Sequence, residues 1–168
     1  PTPEEYAQAV SKVFAGLDVR LILEPGRFLV GNAGALLTRV IYNKTGETKN
    51  FVIVDGASND LMRPALYGAY HRILPARENK GTPIKVDVVG PICETGDFLA
   101  QDRELPAVAP GDLLAVLSAG AYGFSMSSTY NSRPRAAEVM VSGTKAEIIR
   151  ERETDEDLVR GEKVPKFV

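Results

Sequence analysis

The chain has 168 residues, of which 44% are hydrophobic, 25% charged and 7% aromatic. These proportions exclude a collagen-like, disordered or coiled-coil chain and predict one globular core. Twenty Lys and Arg against 22 Asp and Glu give a net charge of -2. Nucleic-acid binding driven by counterion release is therefore not expected.

Two further classes are excluded by the residue types present. No apolar run approaches the about 20 residues that span a bilayer, so no membrane partner is expected. Cys93 is the sole cysteine and His71 the sole histidine, which rules out an internal disulfide and predicts no His-rich metal site. A lone cysteine is typical of a reducing compartment and predicts a cytoplasmic protein.

The first thirty residues have the pattern of an α/β unit. Thr2 and Glu5 have capping-box spacing, and the apolar residues that follow predict a helix over 3–16. The apolar run 19–23 predicts a buried strand that leads into the turn 24–27. A parallel strand needs neighbours on both sides, and the sequence does not begin with Met. A fragment or a processed chain is therefore expected.

The sequence pattern changes at about residue 35, where short segments rich in Val, Ile and Leu begin. They are 35–42, 51–55, 84–90, 112–117, 136–142 and 145–150. Evenly spaced short strands favour an antiparallel barrel or sandwich. A short helix is predicted within 60–70, with Pro64 in its first turn. Residues 151–162 are predicted to form a solvated terminal helix.

Two groups of residues have the chemistry to bind an anion. In the turn Glu24-Pro25-Gly26-Arg27, Gly26 permits close approach of backbone amides and Arg27 offers a bidentate fork. Taken alone, this turn is better explained as a Pro-Gly turn with a surface Glu–Arg pair. Arg63 and Tyr67 share one helical face and can grip a carboxylate. Pairing of Arg63 with Asp60 explains them equally well.

A second pair of segments offers a thiol and an aromatic ring. In the loop 93–97, Cys93 beside an acidic residue can donate a proton, although a lone cysteine is more often a buried small hydrophobe. Tyr122 stands between small residues and can stack on a ligand or fill a barrel corner. The polar run 125–135, which contains Tyr130, is typical of a mobile loop.

Four segments in this order resemble the pyridoxal-phosphate-dependent diaminopimelate decarboxylases of lysine biosynthesis. They are EPGRFLVGNAGALLTRV, FVIVDGASNDLMRPALYGAYH, VVGPICETGDFLA and LLAVLSAGAYGFSMSSTYNSRPRAAEVMV, and they lie between residues 24 and 142. Four motifs in register are far more specific than any one of them. One position departs from the pattern, because Ser58 stands where Met is common in the family.

The resemblance implies a two-domain enzyme that uses pyridoxal 5′-phosphate. Residues 1–30 would be the last helix and strand of a truncated β/α barrel. Residues 31–168 would be a mainly β domain, an antiparallel Greek-key barrel or sandwich like the C-terminal domain of alanine racemase. The lysine that binds the cofactor covalently lies outside this sequence, so the chain alone is expected to be inactive and to self-associate. The intact enzyme would be a homodimer with active sites shared across the interface.

The resemblance also implies a role for individual residues. Cys93 would be catalytic, protonating the carbon that has lost its carboxyl group from a small amino-acid substrate. Glu94 would recognise the distal amino-acid end of that substrate. The implied cofactor contacts are Glu24, Pro25, Gly26, Arg27 and Tyr122. The implied substrate contacts are Arg27, Arg63, Tyr67, Glu94 and Tyr122.

Two alternatives remain open at this point. Related enzymes that decarboxylate ornithine, arginine or carboxynorspermidine share the layout. Diaminopimelate is favoured because its second amino-acid head needs an acid, Glu94, for the amine and a fork, Arg63 with Tyr67, for the carboxylate. The other alternative is a stand-alone β domain that acts as a binding or dimerisation module.

Overall fold

The computed structural model, which describes residues 2–79 and 81–167, is built around one six-stranded sheet. In pairing order the strands are β3 (Ile73–Pro75), β6 (Leu113–Leu117), β1 (Ala35–Thr45), β2 (Asn50–Val54), β4 (Pro83–Val89) and β5 (Phe98–Pro106). The end strands β3 and β5 contact each other. The sheet therefore nearly closes into a barrel, which confirms the predicted mainly β fold.

The core lies inside this barrel and draws apolar side chains from every strand. Along β2, Val52 and Val54 are buried and the residues between and before them are less so, because successive side chains of a strand point to opposite faces. The core residues are Val40, Val52, Val54, Leu61, Ile73, Val86, Val88, Leu99, Ala100, Leu105, Leu114 and Val116.

One pair of strands in this sheet runs parallel. β2 pairs with β4 in parallel, from Asn50 opposite Val86 to Ile53 opposite Val89. A parallel pair needs a long crossover, and residues 55–82 supply it. This crossover contains β3 and the short helix α3 (Arg63–Tyr67), with Pro64 in its first turn as predicted.

Two strands lie outside the segments that the sequence predicted. β3 has only three residues, too few for an apolar pattern to register. β5 carries the polar stretch Gln101–Glu104 at its centre, and its outward side chains are exposed. Strands with one solvated face need no continuous apolar run.

The N-terminal segment forms a helix and an irregular stretch. Helix α1 (Pro3–Val13) begins with the predicted capping box, in which Thr2 Oγ1 accepts from the Glu5 amide at 3.2 Å. Residues 17–25 form no regular element and are exposed, where the sequence predicted a buried strand over 19–23. A lone strand is not stable without neighbours to complete its backbone hydrogen bonds, and no strand among the described residues pairs with this stretch.

A separate hairpin and a short helix complete the chain. The hairpin pairs β7 (Glu138–Ser142) with β8 (Lys145–Arg150), and a groove of about 940 Å³ separates it from the barrel. Helix α4 (Asp155–Leu158) is shorter than the predicted 151–162, because an exposed charged run lacks the packing that stabilises short helices. Within the described residues, no helix has the length and apolar character to cross a membrane.

Candidate functional site

The turn that follows β2, residues 55–60, is the platform turn on which the candidate site is mounted. Thr38 Oγ1 donates to Asp55 Oδ1 and accepts from the Gly56 amide, both at 2.7 Å. Asp60 Oδ2 accepts from the Ala57 amide at 2.9 Å. The platform turn is thus fixed to β1 at one end and closed on itself at the other.

The loop that carries Cys93 is anchored on the platform turn by a buried carboxylate. Asp97 is 5% exposed, and its two oxygens accept from the Ser58 and Ile92 amides, each at 2.7 Å. Gly90 is required beside it, because a β-carbon there would lie 2.4 Å from Asp97 Oδ2. Asp97 therefore ties both ends of the loop to the same place.

The tip of this loop presents a thiol and a carboxylate to solvent. The Glu94 amide donates to the Ile92 carbonyl at 2.9 Å, and the Asp97 amide donates to the Glu94 carbonyl at 3.0 Å. Between these tight turns Cys93 and Glu94 are both exposed. Cys93 is therefore not the buried small hydrophobe that its residue type alone would favour.

Arg63 lies beside two tyrosine rings. Its guanidinium carbon is 5.7 Å from the centroid of Tyr67 and 5.3 Å from that of Tyr122, a distance at which cation–π attraction operates. The rings are 63% and 46% exposed. Arg63 makes no ion pair with Asp60 or another acid among the described residues. The second of the two explanations, pairing of Arg63 with Asp60, is therefore not what the structure shows.

Asp60 has a different environment from the one that pairing with Arg63 would give. Its carboxyl group is bonded to the Ala57 amide, and burial raises the pKa of Asp60 above its ordinary value. Burial penalises the ionised form of a carboxylic acid. Asp60 is thus a structural element of the platform turn.

A close glycine junction positions Tyr122. Tyr122 has a left-handed backbone, with φ of 60°, which is uncommon for a residue with a side chain. Just before it, the Gly120 amide donates to the Gly31 carbonyl at 3.0 Å, and the Ala119 amide donates to the Gly34 carbonyl at 2.9 Å. These bonds dock the end of helix α2 (Gly26–Val30) against the Tyr122 turn. The ring remains half-exposed, so it is not a barrel-corner core residue.

The turn Glu24-Pro25-Gly26-Arg27 leads into α2 and is exposed along its length. The first backbone bond of α2 runs from the Leu29 amide to the Pro25 carbonyl at 3.1 Å. The amides of residues 26–28 come before the first intrahelical hydrogen bond. They have no partner within the helix and remain available to an anion. Nothing lies within 4 Å of a β-carbon built on Gly26, so an anion has room to approach these amides.

Tyr130 belongs to the same site, although the sequence indicated only a mobile polar loop. Its hydroxyl donates to Glu94 Oε2 at 3.3 Å. The Glu94 carboxylate raises the pKa of Tyr130 above its ordinary value of 10.0, so the phenol is a hydrogen-bond donor at neutral pH. A tyrosine among arginines in the run 125–135 was the available signal, and its partner lies 36 residues away.

His71 lies apart from this cluster. It is 3% exposed, and its Nδ1 is 2.9 Å from the Leu117 carbonyl oxygen. Within residues 2–79 and 81–167, no three His, Cys, Asp or Glu side chains are grouped as metal ligands.

Comparison with known proteins adds a family and several relatives. The family model described as the C-terminal sheet domain of pyridoxal-dependent decarboxylases matches residues 13–120. A diaminopimelate decarboxylase of Neisseria meningitidis serogroup A is 59% identical over 94% of this chain and 38% of the relative. One from Pseudomonas aeruginosa is 56% identical over 96% of this chain and 39% of the relative. The chain thus spans less than two fifths of the length of these relatives.

Solved structures give the same picture. Diaminopimelate decarboxylase from Helicobacter pylori complexed with L-lysine has 44% identity and a TM-score of 0.82, covering 95% of this chain and 39% of that one. The enzyme from M. jannaschii in complex with L-lysine has 40% identity and a TM-score of 0.84, covering 97% of this chain and 37% of that one. Both matches cover nearly the whole of this chain and less than two fifths of the solved one.

Proposed function

Because this chain belongs to the pyridoxal-dependent decarboxylases, whose C-terminal sheet domain it contains, we propose that it is part of an enzyme that decarboxylates meso-2,6-diaminopimelate to L-lysine and carbon dioxide. The observation that carries the proposal is the mounting of Arg63 and Glu94 on elements tied to one platform turn. An arginine suits a carboxylate and an acid suits an amine. A substrate with two amino-acid ends needs both.

The cofactor proposed for this reaction is pyridoxal 5′-phosphate, which supplies an electron sink when the carboxyl group leaves. The exposed amides at residues 26–28 suit a phosphate group, and open space at Gly26 supports the fit. The half-exposed ring of Tyr122 is suited to contact the aromatic ring of the cofactor. The residues proposed to hold the cofactor are Glu24, Pro25, Gly26, Arg27 and Tyr122. Its covalent lysine is proposed to lie in the part of the relatives that this chain does not span.

The contacts proposed for Arg63, Tyr67 and Glu94 lie at the second amino-acid head of the substrate. Arg63 would bind a carboxylate through its planar fork while Tyr67 and Tyr122 hold the guanidinium in place. Arg27 would add a second cation. Glu94 would accept hydrogen bonds from the distal ammonium group, and its exposed position on the loop tip supports this role.

Cys93 is the proposed proton donor. Its S–H group would deliver a proton to the carbon atom that has lost its carboxyl group, leaving a thiolate that regains its proton from water. An exposed thiol at the tip of an anchored loop permits both steps. Delivery from a fixed position also favours protonation on one face of that carbon.

The assembly and the location are part of the same proposal. Residues 1–30 would belong to a preceding barrel domain and 31–168 to the β domain; α1 has no buried residue, and Ile22 is 78% exposed. Two copies would form an isologous homodimer with active sites shared across the interface, in which each site takes Cys93 and Glu94 from one copy and Arg63 and Tyr122 from the other. The exposed free thiol of Cys93 favours the reducing cytoplasm.

The test uses the complete open reading frame that contains this sequence, expressed with pyridoxal phosphate. Carbon dioxide release is measured from meso-diaminopimelate, ornithine and arginine, with Cys93→Ala as the test variant. Thr95→Ala, on the same loop, is the matched control. Release from diaminopimelate alone that is lost in Cys93→Ala and kept in Thr95→Ala supports the proposal. Release from ornithine or arginine instead contradicts the substrate and the role of Glu94.

A further inference from the structure

We propose that Tyr130 is a positioning residue for Glu94, and that it holds one carboxylate oxygen so that the other faces the distal ammonium group of the substrate. The inference rests on the proposed function and extends it to a residue with no assigned role. The contact that carries it is the hydrogen bond from the Tyr130 hydroxyl to Glu94 Oε2 at 3.3 Å.

The segment that carries Tyr130 is fastened to the platform turn. Arg133 donates from Nε to Asn59 Oδ1 at 3.1 Å and from its terminal nitrogen to the Asp55 carbonyl. Asn59 and Ser128 bond to each other twice, through the Asn59 side-chain amide at 3.1 Å and the Ser128 backbone amide at 3.0 Å. Tyr130 is therefore held on both sides by residues 55–59.

The backbone just after Tyr130 is in a conformation that needs such support. Asn131 and Ser132 have φ of 59° and 55°, two successive left-handed residues that are not glycine. Residues in this region persist only where the surroundings hold them, and they cluster at functional sites. The bend turns the chain from Tyr130 back toward Arg133 and its anchor.

Glu94 is fastened to the same turn from the other side. Its loop is tied down by Asp97, which accepts from the Ser58 amide at 2.7 Å. The platform turn therefore sets the separation of Tyr130 and Glu94, because the segments that carry both residues are hydrogen-bonded to it. A glutamate held by a neighbour loses less rotamer freedom when the substrate binds.

The hydrogen bond leaves a clear division between the two oxygens of Glu94. Oε2 accepts from the phenol, and Oε1 remains for the substrate ammonium. The direction of the bond is fixed, because a carboxylate oxygen can only accept and the phenol donates; the Glu94 carboxylate also raises the pKa of Tyr130. Tyr130 does not contact the reacting atoms in this scheme, so its effect is expected on binding rather than on the chemical step.

The first test is a double-mutant cycle in the complete protein, with steady-state kinetics on meso-diaminopimelate. The variants are Tyr130→Phe, Glu94→Gln and the two combined. Tyr130→Phe is expected to raise KM about fivefold with kcat changed less than about twofold. In the Glu94→Gln background the same change is expected to alter KM less than about twofold. Tyr42→Phe, an exposed tyrosine on β1, is the matched control.

A second readout does not depend on the substrate. Amide hydrogen exchange of residues 92–97 is expected to be at least about threefold faster in Tyr130→Phe and unchanged in Tyr42→Phe, since local protection reports local opening. Unchanged exchange in Tyr130→Phe, or an equal rise of KM in both Glu94 backgrounds, would overturn the inference while the function stands. An inactive wild-type protein would overturn the proposed function by itself.

Discussion

Gly120 approaches Val30 so closely that a β-carbon at position 120 would lie 2.1 Å from the Val30 carbonyl oxygen. At the same junction, a β-carbon built on Gly34 would lie 2.6 Å from the Gly120 Cα. Neither position has room for a side chain. This contact fixes the end of α2, whose first amides are exposed, against the turn that carries Tyr122.

The first prediction is that Gly120→Ala separates these two groups. Overpacking of this kind costs about 1–3 kcal/mol, and we expect the dissociation constant for pyridoxal phosphate to rise at least about tenfold. Gly31→Ala is the control, because its β-carbon would make ordinary contact with Arg27 Cγ at 3.5 Å. Cofactor titration by absorbance measures both variants. Equal affinity in Gly120→Ala and wild type would contradict the role of the junction.

The second prediction concerns the buried carboxylate of Asp97. In Asp97→Asn, the side-chain NH₂ group would face one of the two backbone N–H groups that donate to the Asp97 carboxylate. Two hydrogen-bond donors would then oppose each other. Leaving a buried donor unsatisfied costs about 1–3 kcal/mol. We expect lower stability in thermal unfolding together with faster alkylation of Cys93 as its loop loosens. Asp112→Asn is the control, because Asp112 accepts one amide hydrogen bond, from Ala109 at 2.8 Å, and an asparagine oxygen can replace it.

Arg63→Lys is expected to weaken substrate binding. Lysine keeps the charge but loses the planar fork and the stacking on Tyr67 and Tyr122. We expect KM for diaminopimelate to rise about tenfold, as measured by carbon dioxide release. Arg77→Lys, at an exposed position, is the control for the general effect of replacing an arginine by a lysine. A KM unchanged from wild type would remove Arg63 from the substrate contacts.

The fourth prediction is a pH dependence of stability. Arg135 donates to the Glu153 carboxylate and holds the pKa of Glu153 below its ordinary value of 4.5. The pair therefore stabilises the folded state above that pH, and the stabilisation is lost as the pH falls through the lower folded value. Glu153→Gln should lower the melting temperature more at about pH 6 than at about pH 3. Glu151→Gln, an exposed neighbour, should show no such difference; an equal effect of Glu153→Gln at both pH values would contradict the assignment.

Much of the barrel could be predicted because its strands are local apolar patterns. β1, β2, β4 and β6 coincide with the short apolar segments of the sequence, since each buries one face in the core. The run 19–23 has the same local pattern, but it forms no strand because sheet formation depends on partners that are distant in sequence. β5 shows the opposite case, in which partners stabilise a strand with a polar centre.

The residue types of the candidate site could be predicted from the sequence, but the contacts that hold those residues in place could not. Arg63 and Tyr67 are four residues apart on one helix, so their proximity follows from helical geometry. The hydrogen bonds from the Ser58 amide to Asp97 and from Tyr130 to Glu94 span 39 and 36 residues. Such contacts depend on the path of the whole barrel, and no local spacing indicates them.

The parallel pairing of β2 with β4 has a consequence for the order of folding. These strands cannot meet until residues 55–82 have crossed the barrel, and pairings between distant segments form slowly. The β1–β2 hairpin joins neighbouring segments and is complete much earlier along the chain. The platform turn and α3 both lie within the crossover, so barrel closure and assembly of the site are one event. A nascent chain that stops before β4 exposes an unpaired β2 edge, and this edge is the expected origin of misfolding during synthesis.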